Sequence, residues 1–485
     1  MEVNMNNNLT KSIKTGFIYT ALGKYGNMII QLIINAILSR LLTPNDYGVV
    51  AVVTVFIVFF QMLADMGIGP AIIQSKELNQ EDIKSLFTLS IILSFFLGVF
   101  FLLFGFGIAW FYDNSIYIPI SSYLSISVFF YSLIIVPNAI LLKKQQFKFV
   151  SMAKLITSVI AGLIGIIAAY NDFGVYALVV NNIANAFVSF LLLFSFSKVR
   201  PTKKINKQAY FKIRSFSKNQ FGFNFINYFS RNMDNILIGK FISEQALGNY
   251  SKAYQLLMYP NSLLAGVITP VLQPVLSNHE NDVEVIKNVY SKVIRVLALI
   301  GLPLSVFLSM NAKYIIYFMF GKQWTGAVKT FAILSTTVWI QMLLSSTGAI
   351  FQSRNKTNYL FIGGSVSAII LVSAIILGIF MQDIEKLSII LVGGFTLNFV
   401  FSFWLLTNKA LETNLFYILR ELKNPFKLSV LLIIVFYLFN LIQYSYSIFI
   451  ELFIRSFIFI LTFLLGSYYM GEIKIIKKLL VEKRG

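Results

Sequence analysis

Long apolar runs separated by short polar breaks are the dominant pattern along this chain, and most are near the roughly 20 residues that a helix needs to cross a bilayer. They predict helices at 16–38, 47–73, 86–110, 117–142, 155–170 and 175–196, then at 219–242, 247–276, 293–310, 330–352, 359–380 and 387–406, and finally at 428–444 and 451–470. That is about 14 spans. The run after the polar start MEVNMNNNLTKSIKT is longer than a signal-peptide core and has no small-residue cleavage site behind it, so it reads as the first span.

Composition agrees. Of 485 residues 57% are hydrophobic and 12% charged, and the mean hydropathy is +0.75. Fourteen spans leave almost nothing for a soluble enzyme module. The fold class expected is an all-α integral membrane protein. A net charge of +20 would suggest nucleic acid in a soluble chain. Here its placement decides otherwise. With the N-terminus inside, about 30 basic residues fall in cytoplasmic segments and about 5 (Arg40, Lys313, Lys322, Lys329, Lys386) in outer loops. Both termini are therefore expected in the cytoplasm, with no nucleic-acid partner. Lys198 to Lys218 is the densest basic segment, a solvated linker or an anionic-lipid contact. The outer connection 311–329 carries AKYIIYFMFGKQW, whose apolar part is expected in the interface with Trp324 as an anchor. Lys240 and Lys252, near the outer surface, are expected to snorkel.

An offset of 200 residues aligns the chain with itself without gaps: Asn27 with Asn227, Asn35 with Asn235, Gly48 with Gly248 and Pro70 with Pro270. Thr20/Gln220, Gln31/Arg231, Arg40/Lys240 and Thr43/Ser243 are polar in both copies. The offset carries the first span onto the seventh, so the halves share an orientation. Two six-helix lobes related by a pseudo-two-fold axis along the membrane normal are expected, plus a C-terminal helix pair. The organisation reads as an N-lobe at 1–197, a basic linker at 198–218, a C-lobe at 219–406, a linker at 407–427, the pair at 428–470 and a basic tail at 471–485.

Thr20, Lys24, Asn27, Gln31 and Asn35 share one face of the first span, and Gln220, Asn224, Asn227, Arg231 and Asp234/Asn235 share one face of the seventh. In hydrocarbon such stripes face protein or water, since a cation at the bilayer centre costs about 2.5–3.5 kcal/mol even on the insertion scale. Two readings stand for the amides: the walls of a hydrated cleft, or interhelical hydrogen bonds. Two also stand for the cations. Arg231 pairs with Asp234 at i+3, or it offers a fork of donors to phosphate oxygens with Lys24 as a point charge. In the second reading Asp234 is a proton or sodium switch. Asp65 in MLADMGIGP is a second intramembrane carboxylate, either in ion coupling or capping a helix break around Gly67, Gly69 and Pro70.

No catalytic set accompanies these residues. Cysteine is absent, the single histidine, His279, sits in the polar segment SNHENDVE, and the outer loops offer Asp113, Asp172, Glu244, Asp383 and Glu385 without a paired constellation. The chain reads as no enzyme and as needing no metal or other cofactor. No GxxxxGK[ST] motif occurs, so energy comes from an ion gradient (H+ or Na+), the membrane potential or substrate flux.

Leu38 to Ser90, LSRLLTPNDYGVVAVVTVFIVFFQMLADMGIGPAIIQSKELNQEDIKSLFTLS, resembles the N-terminal signature of Wzx-like polysaccharide flippases of the multidrug/oligosaccharidyl-lipid/polysaccharide superfamily. Arg231 to Pro260, RNMDNILIGKFISEQALGNYSKAYQLLMYP, resembles their seventh-span signature, and FGKQW at Phe320 to Trp324 is a third, weaker match. The whole is similar to teichuronic-acid and colanic-acid exporters. The resemblance implies a polyprenyl-pyrophosphate-linked oligosaccharide as cargo, turned over in the plasma membrane by alternating access, with a glycan polymerase and glycosyltransferases as partners. The cleft reading of the two stripes puts pyrophosphate and sugar contacts on Lys24, Arg231, Asn27, Gln31, Asn224 and Asn227, and the resemblance implies that Lys24 and Asp234 match a cavity cation and an ion-site carboxylate of related lipid II flippases. The eleventh span, 359–380, departs from that pattern in holding no carboxylate. A drug/cation antiporter of the same superfamily and a membrane glycan polymerase or ligase are the competing functions.

Overall fold

The computed structural model describes residues 2–75, 77–203, 206, 228–229, 231–442 and 446–472, with the backbone alone over 2–18 and 264–271. It is 87% helical, and the described residues contain no strand. The helices are α1 (Glu2–Leu41), α2 (Pro44–Asp65), α3 (Ile68–Gln74), α4 (Gln80–Tyr112), α5 (Tyr117–Lys143), α6 (Phe147–Tyr170) and α7 (Val175–Ser197). After α8, at 231–241, come α9 (Glu244–Ser277), α10 (Val283–Met310), α11 (Ala312–Met319), α12 (Thr325–Ser335), α13 (Val338–Ser353) and α14 (Thr357–Ile379). The last four are α15 (Ile384–Lys409), α16 (Leu415–Glu421), α17 (Lys423–Leu441) and α18 (Ile448–Tyr469).

Eleven of the described helical stretches are long and apolar enough to cross a membrane, and α12 with α13 form a twelfth, bent by 53°. The protein is thus a multi-pass membrane protein. The bend replaces the straight span expected over 330–352: the ladder stops at Thr336 and Thr337, whose hydroxyls turn back onto the carbonyls of Ile333 and Leu334, each at 2.7 Å. Side-chain hydroxyls elsewhere in the spans also return to their own helix. Ser94 donates to the Ser90 carbonyl at 2.6 Å, Ser132 to Val128 at 2.7 Å and Thr407 to Phe403 at 2.8 Å, which removes the penalty of a bare polar group in hydrocarbon.

The chain divides into two compact units, Met1–Gly248 and Asn249–Gly485, with the boundary inside α9. In the first, α5 packs along α4 and α7, and α6 lies against α1 and α7. Its core includes Ile72, Leu86, Phe87, Val136 and Ala139. After α7 the chain doubles back over the first turns of α4. Thr202 donates its N–H to Thr88 Oγ1 at 2.9 Å, and Asn206 reaches Ser85 Oγ at 3.1 Å and Asp82 Oδ1 at 3.0 Å. Only the start of the basic linker is described.

In the second unit α10 packs against α12, α13 and α17, α14 pairs with α15, and α18 packs on α11 and α17. Trp324 is buried and packs at a tilt beside Phe320, ring centroids 5.8 Å apart, so it is no interface anchor. Lys252 does not snorkel either. It is 2% exposed, with Nζ 5.0 Å from the Phe320 ring and 5.7 Å from that of Trp324. FGKQW is therefore an aromatic seat for a lysine of α9, an arrangement in which ring quadrupoles offset part of the desolvation of a cation.

Candidate functional site

The stripe on α1 resolves into two kinds of residue. Gly23 and Gly26 bring α1 against α6, where an added Cβ would meet the Ser151 side chain at 2.5 Å and Leu155 at 3.2 Å. On the adjoining edge Ser158 of α6 donates to Asn27 Oδ1 at 2.5 Å and accepts from Gln31 Nε2 at 3.1 Å, while Asn35 donates to the Gln31 carbonyl at 2.8 Å. One serine thus joins both amides, and Asn27 and Gln31 act here as interhelical hydrogen-bonding residues. Lys24, on the same helix, is exposed.

The second stripe begins outside the described residues, where Gln220, Asn224 and Asn227 all lie. Its C-terminal part is held tightly to α2 and α4. Tyr228 donates to the Val55 carbonyl, Tyr112 to that of Ile236 at 3.1 Å, and Lys240 pairs with Asp113 at 2.6 Å. On the frame so fixed, Arg231 is exposed and Asp234 is 7% exposed, its Oδ1 accepting the Asn235 N–H at 2.8 Å. The arrangement offers two exposed cations, on α1 and α8, and a buried carboxylate on α8, chemistry suited to an anionic group and to a small cation respectively.

Asp65 stands at the break between α2 and α3. Met66 (φ 38°) and Gly67 (φ 77°) take left-handed conformations, and Asp65 Oδ1 accepts the Gly69 N–H at 2.9 Å as the helix restarts. It is a capping residue by geometry. Asp65→Ala is expected to lower stability by about 1 kcal/mol, the usual worth of a side-chain cap. Asp65→Asn, which keeps the acceptor, should hold the wild-type unfolding temperature; a fall equal to that of alanine would assign the effect to the charge instead.

Three charged clusters went unforeseen. Arg455 of α18 is 4% exposed and bonds Glu451, Asn311, Asn440 and Tyr314. Arg354, after α13, donates to the carbonyls of Ala410 and Glu280 and to Glu412. Arg295 of α10 forms a two-pronged pair with Glu472 at 2.9 and 2.7 Å. The i, i+4 spacing of Glu451 and Arg455 inside an apolar run was the available signal for the first; the other two join residues 56 or more apart and left none. Among the described residues no three His, Asp or Glu side chains gather as a metal site.

Comparison with known proteins places this geometry. The family described as Polysaccharide biosynthesis protein matches residues 37–329, more than half of the chain. The teichuronic acid biosynthesis protein TuaB of Bacillus subtilis is 24% identical over 430 residues, 87% of each chain. The lipopolysaccharide biosynthesis protein WzxC of Escherichia coli is 21% identical over 418 residues, 84% of this chain and 83% of that one. Among solved structures, the lipid II flippase MurJ in an inward closed conformation superposes with a TM-score of 0.73 at 14% identity, covering 94% of this chain and 99% of that one. The chain shares the fold of that MurJ structure, as the signatures at Leu38 to Ser90 and Arg231 to Pro260 implied. The protein is a multi-pass membrane protein, and it belongs to the polysaccharide biosynthesis protein family.

Proposed function

We propose that this protein translocates polyprenyl-pyrophosphate-linked oligosaccharide repeat units from the inner to the outer leaflet of a bacterial plasma membrane, by alternating access, for surface polysaccharide synthesis. One observation carries the reading: Lys24 and Arg231 sit exposed on helices of a multi-pass membrane protein. Exposed cations on such helices are able to engage an anionic group of the cargo, and a pyrophosphate supplies one. The names of the relatives support the glycan part. The Lys and Arg asymmetry of the loops supports cytoplasmic termini, and a polymerase and glycosyltransferases are the natural neighbours of such a step. Asp234 is the residue assigned to H+ or Na+ coupling, with Asp65 as a second carboxylate. A further drive is electrical. Each negative charge moved outward across an inside-negative membrane gains about 2.3 kcal/mol per 100 mV.

The experiment is depletion of the protein followed by mass spectrometry of polyprenyl-pyrophosphate lipids and analysis of surface glycan. One lipid-linked oligosaccharide should accumulate while one polymer is lost, and Lys24→Ala and Arg231→Ala should each reproduce the defect at normal protein level. Unchanged lipids together with heightened sensitivity to cationic drugs would replace this reading with drug/cation antiport.

A further inference from the structure

The connection between α15 and α17 segregates its charges. Both flanking helices are long and apolar enough to cross the membrane, so residues 410–422 lie at its surface. The two carboxylates of this connection turn toward guanidinium groups of the same unit. Glu412 pairs with Arg354 at 2.9 Å, and Glu421, with its side chain 22% exposed, lies 3.8 Å from Arg295. Burial pushes the Glu421 carboxyl above its ordinary value, against the pull of Arg295 and Arg420.

The outward side is basic and apolar by turns. Phe416 is 77% exposed, Leu419 37% and Phe426 61%, and beside them Arg420, Lys423 and Lys427 are exposed as well. None of the three basic residues lies within ion-pair distance of a carboxylate among the described residues. The six positions 416, 419, 420, 423, 426 and 427 follow helical spacing, and Leu422, between α16 and α17, stays in the right-handed helical region at φ −81° and ψ −10°. They therefore form one strip. Aromatic and leucine side chains at this level insert beside the acyl chains while neighbouring Lys and Arg reach the headgroups.

We propose that this strip is a binding surface for anionic phospholipid headgroups in the leaflet that α16 faces. Charge complementarity selects that occupant. A zwitterionic headgroup gains little from three exposed cations, whereas an anionic surface gains about fivefold in affinity for each basic residue near it. The surface is separate from Lys24 and Arg231, which belong to the other unit.

The test is lipid titration of the purified full-length protein in detergent, read by native mass spectrometry, with phosphatidylglycerol against phosphatidylcholine. Wild-type protein should retain phosphatidylglycerol preferentially. Arg420→Gln, Lys423→Gln and Lys427→Gln should each weaken that retention about fivefold, and the triple variant about a hundredfold, leaving phosphatidylcholine unaffected. Lys313→Gln with Lys322→Gln, in the connection at the far end of α10, should change nothing. Equal retention of the two lipids by wild-type protein, or undiminished phosphatidylglycerol on the single variants, overturns the proposal. Displacement of phosphatidylglycerol by inorganic pyrophosphate also overturns it, by making the strip a phosphate site rather than a lipid surface.

Discussion

Gly48→Ala and Gly248→Ala are each expected to destabilise the protein by at least the upper end of the roughly 1–3 kcal/mol that overpacking costs. Loss of transport should accompany it. A Cβ at Gly48 would stand 1.7 Å from the Glu244 carbonyl oxygen, and a Cβ at Gly248 would stand 1.8 Å from that of Pro44. Both obstacles are backbone atoms, so no rotamer change relieves them. The helix starts themselves are pinned. Thr43 caps α2 in a reciprocal box with Asp46, and Ser243 Oγ accepts the Ala246 N–H at 3.1 Å. Only separation of the two helix starts makes room for a methyl group. Thermal unfolding of purified variants checks this, with Gly107→Ala and Gly393→Ala as controls. An added Cβ there meets nothing within 4 Å, and alanine is favoured over glycine inside a helix. A wild-type unfolding temperature and wild-type glycan export in Gly48→Ala would defeat the expectation.

The same contact gives the repeat a physical meaning. Gly48 faces Glu244 and Gly248 faces Pro44, and each of these positions maps onto its counterpart by the offset of 200 that the sequence displays. Two equivalent helix starts, both within the first unit, meet reciprocally as a local two-fold pair does. Glycine was legible as matched in both copies; that the two copies touch each other was not, because an offset relates residues without saying that they meet.

Hydropathy located the membrane-crossing parts of the helices better than their ends. α4 begins at Gln80 rather than at 86, and α10 at Val283 rather than at 293. The added turns are polar and are started by side-chain caps, Asn79 with Asp82 and Asp282 with the Val285 N–H. Apolar runs mark the thickness of the bilayer, whereas caps mark where the helix begins. Periodicity also put Asn27, Gln31 and Lys24 on one face of α1, yet left open what faces them. The answer for the amides is Ser158, 127 residues from Gln31, and no local pattern points that far. Lys252 and Trp324 were misjudged for a related reason. Each is an amphipathic side chain that reads as interfacial alone, and their burial follows only from their packing against each other.

Arg455→Ala is the other substitution expected to do severe damage, about 3–5 kcal/mol, the range for breaking a buried ion pair from one side. The guanidinium donates four hydrogen bonds: to Glu451 Oε2 at 2.9 Å, Asn311 Oδ1 at 3.0 Å, Asn440 Oδ1 at 2.8 Å and Tyr314 OH at 3.2 Å. It also lies 4.0 Å from the centroid of the Tyr314 ring and 5.0 Å from that of Phe439. These contacts tie α18 to α17 and to the junction of α10 with α11. Alanine leaves the Glu451 carboxylate, 7% exposed, without the cation that compensates its desolvation. Lysine restores charge but not the planar fork that reaches several acceptors at once, so Arg455→Lys should fall between wild type and alanine. Glu451→Leu with Arg455→Met removes both charges together, and should recover much of what the single alanine variant loses, since apolar replacement of a buried pair is often nearly neutral. The order of unfolding temperatures is thus wild type, then lysine and the double variant, then alanine. A double variant no better than Arg455→Ala would mean that the two asparagine acceptors, rather than the carboxylate, set the cost of losing the arginine.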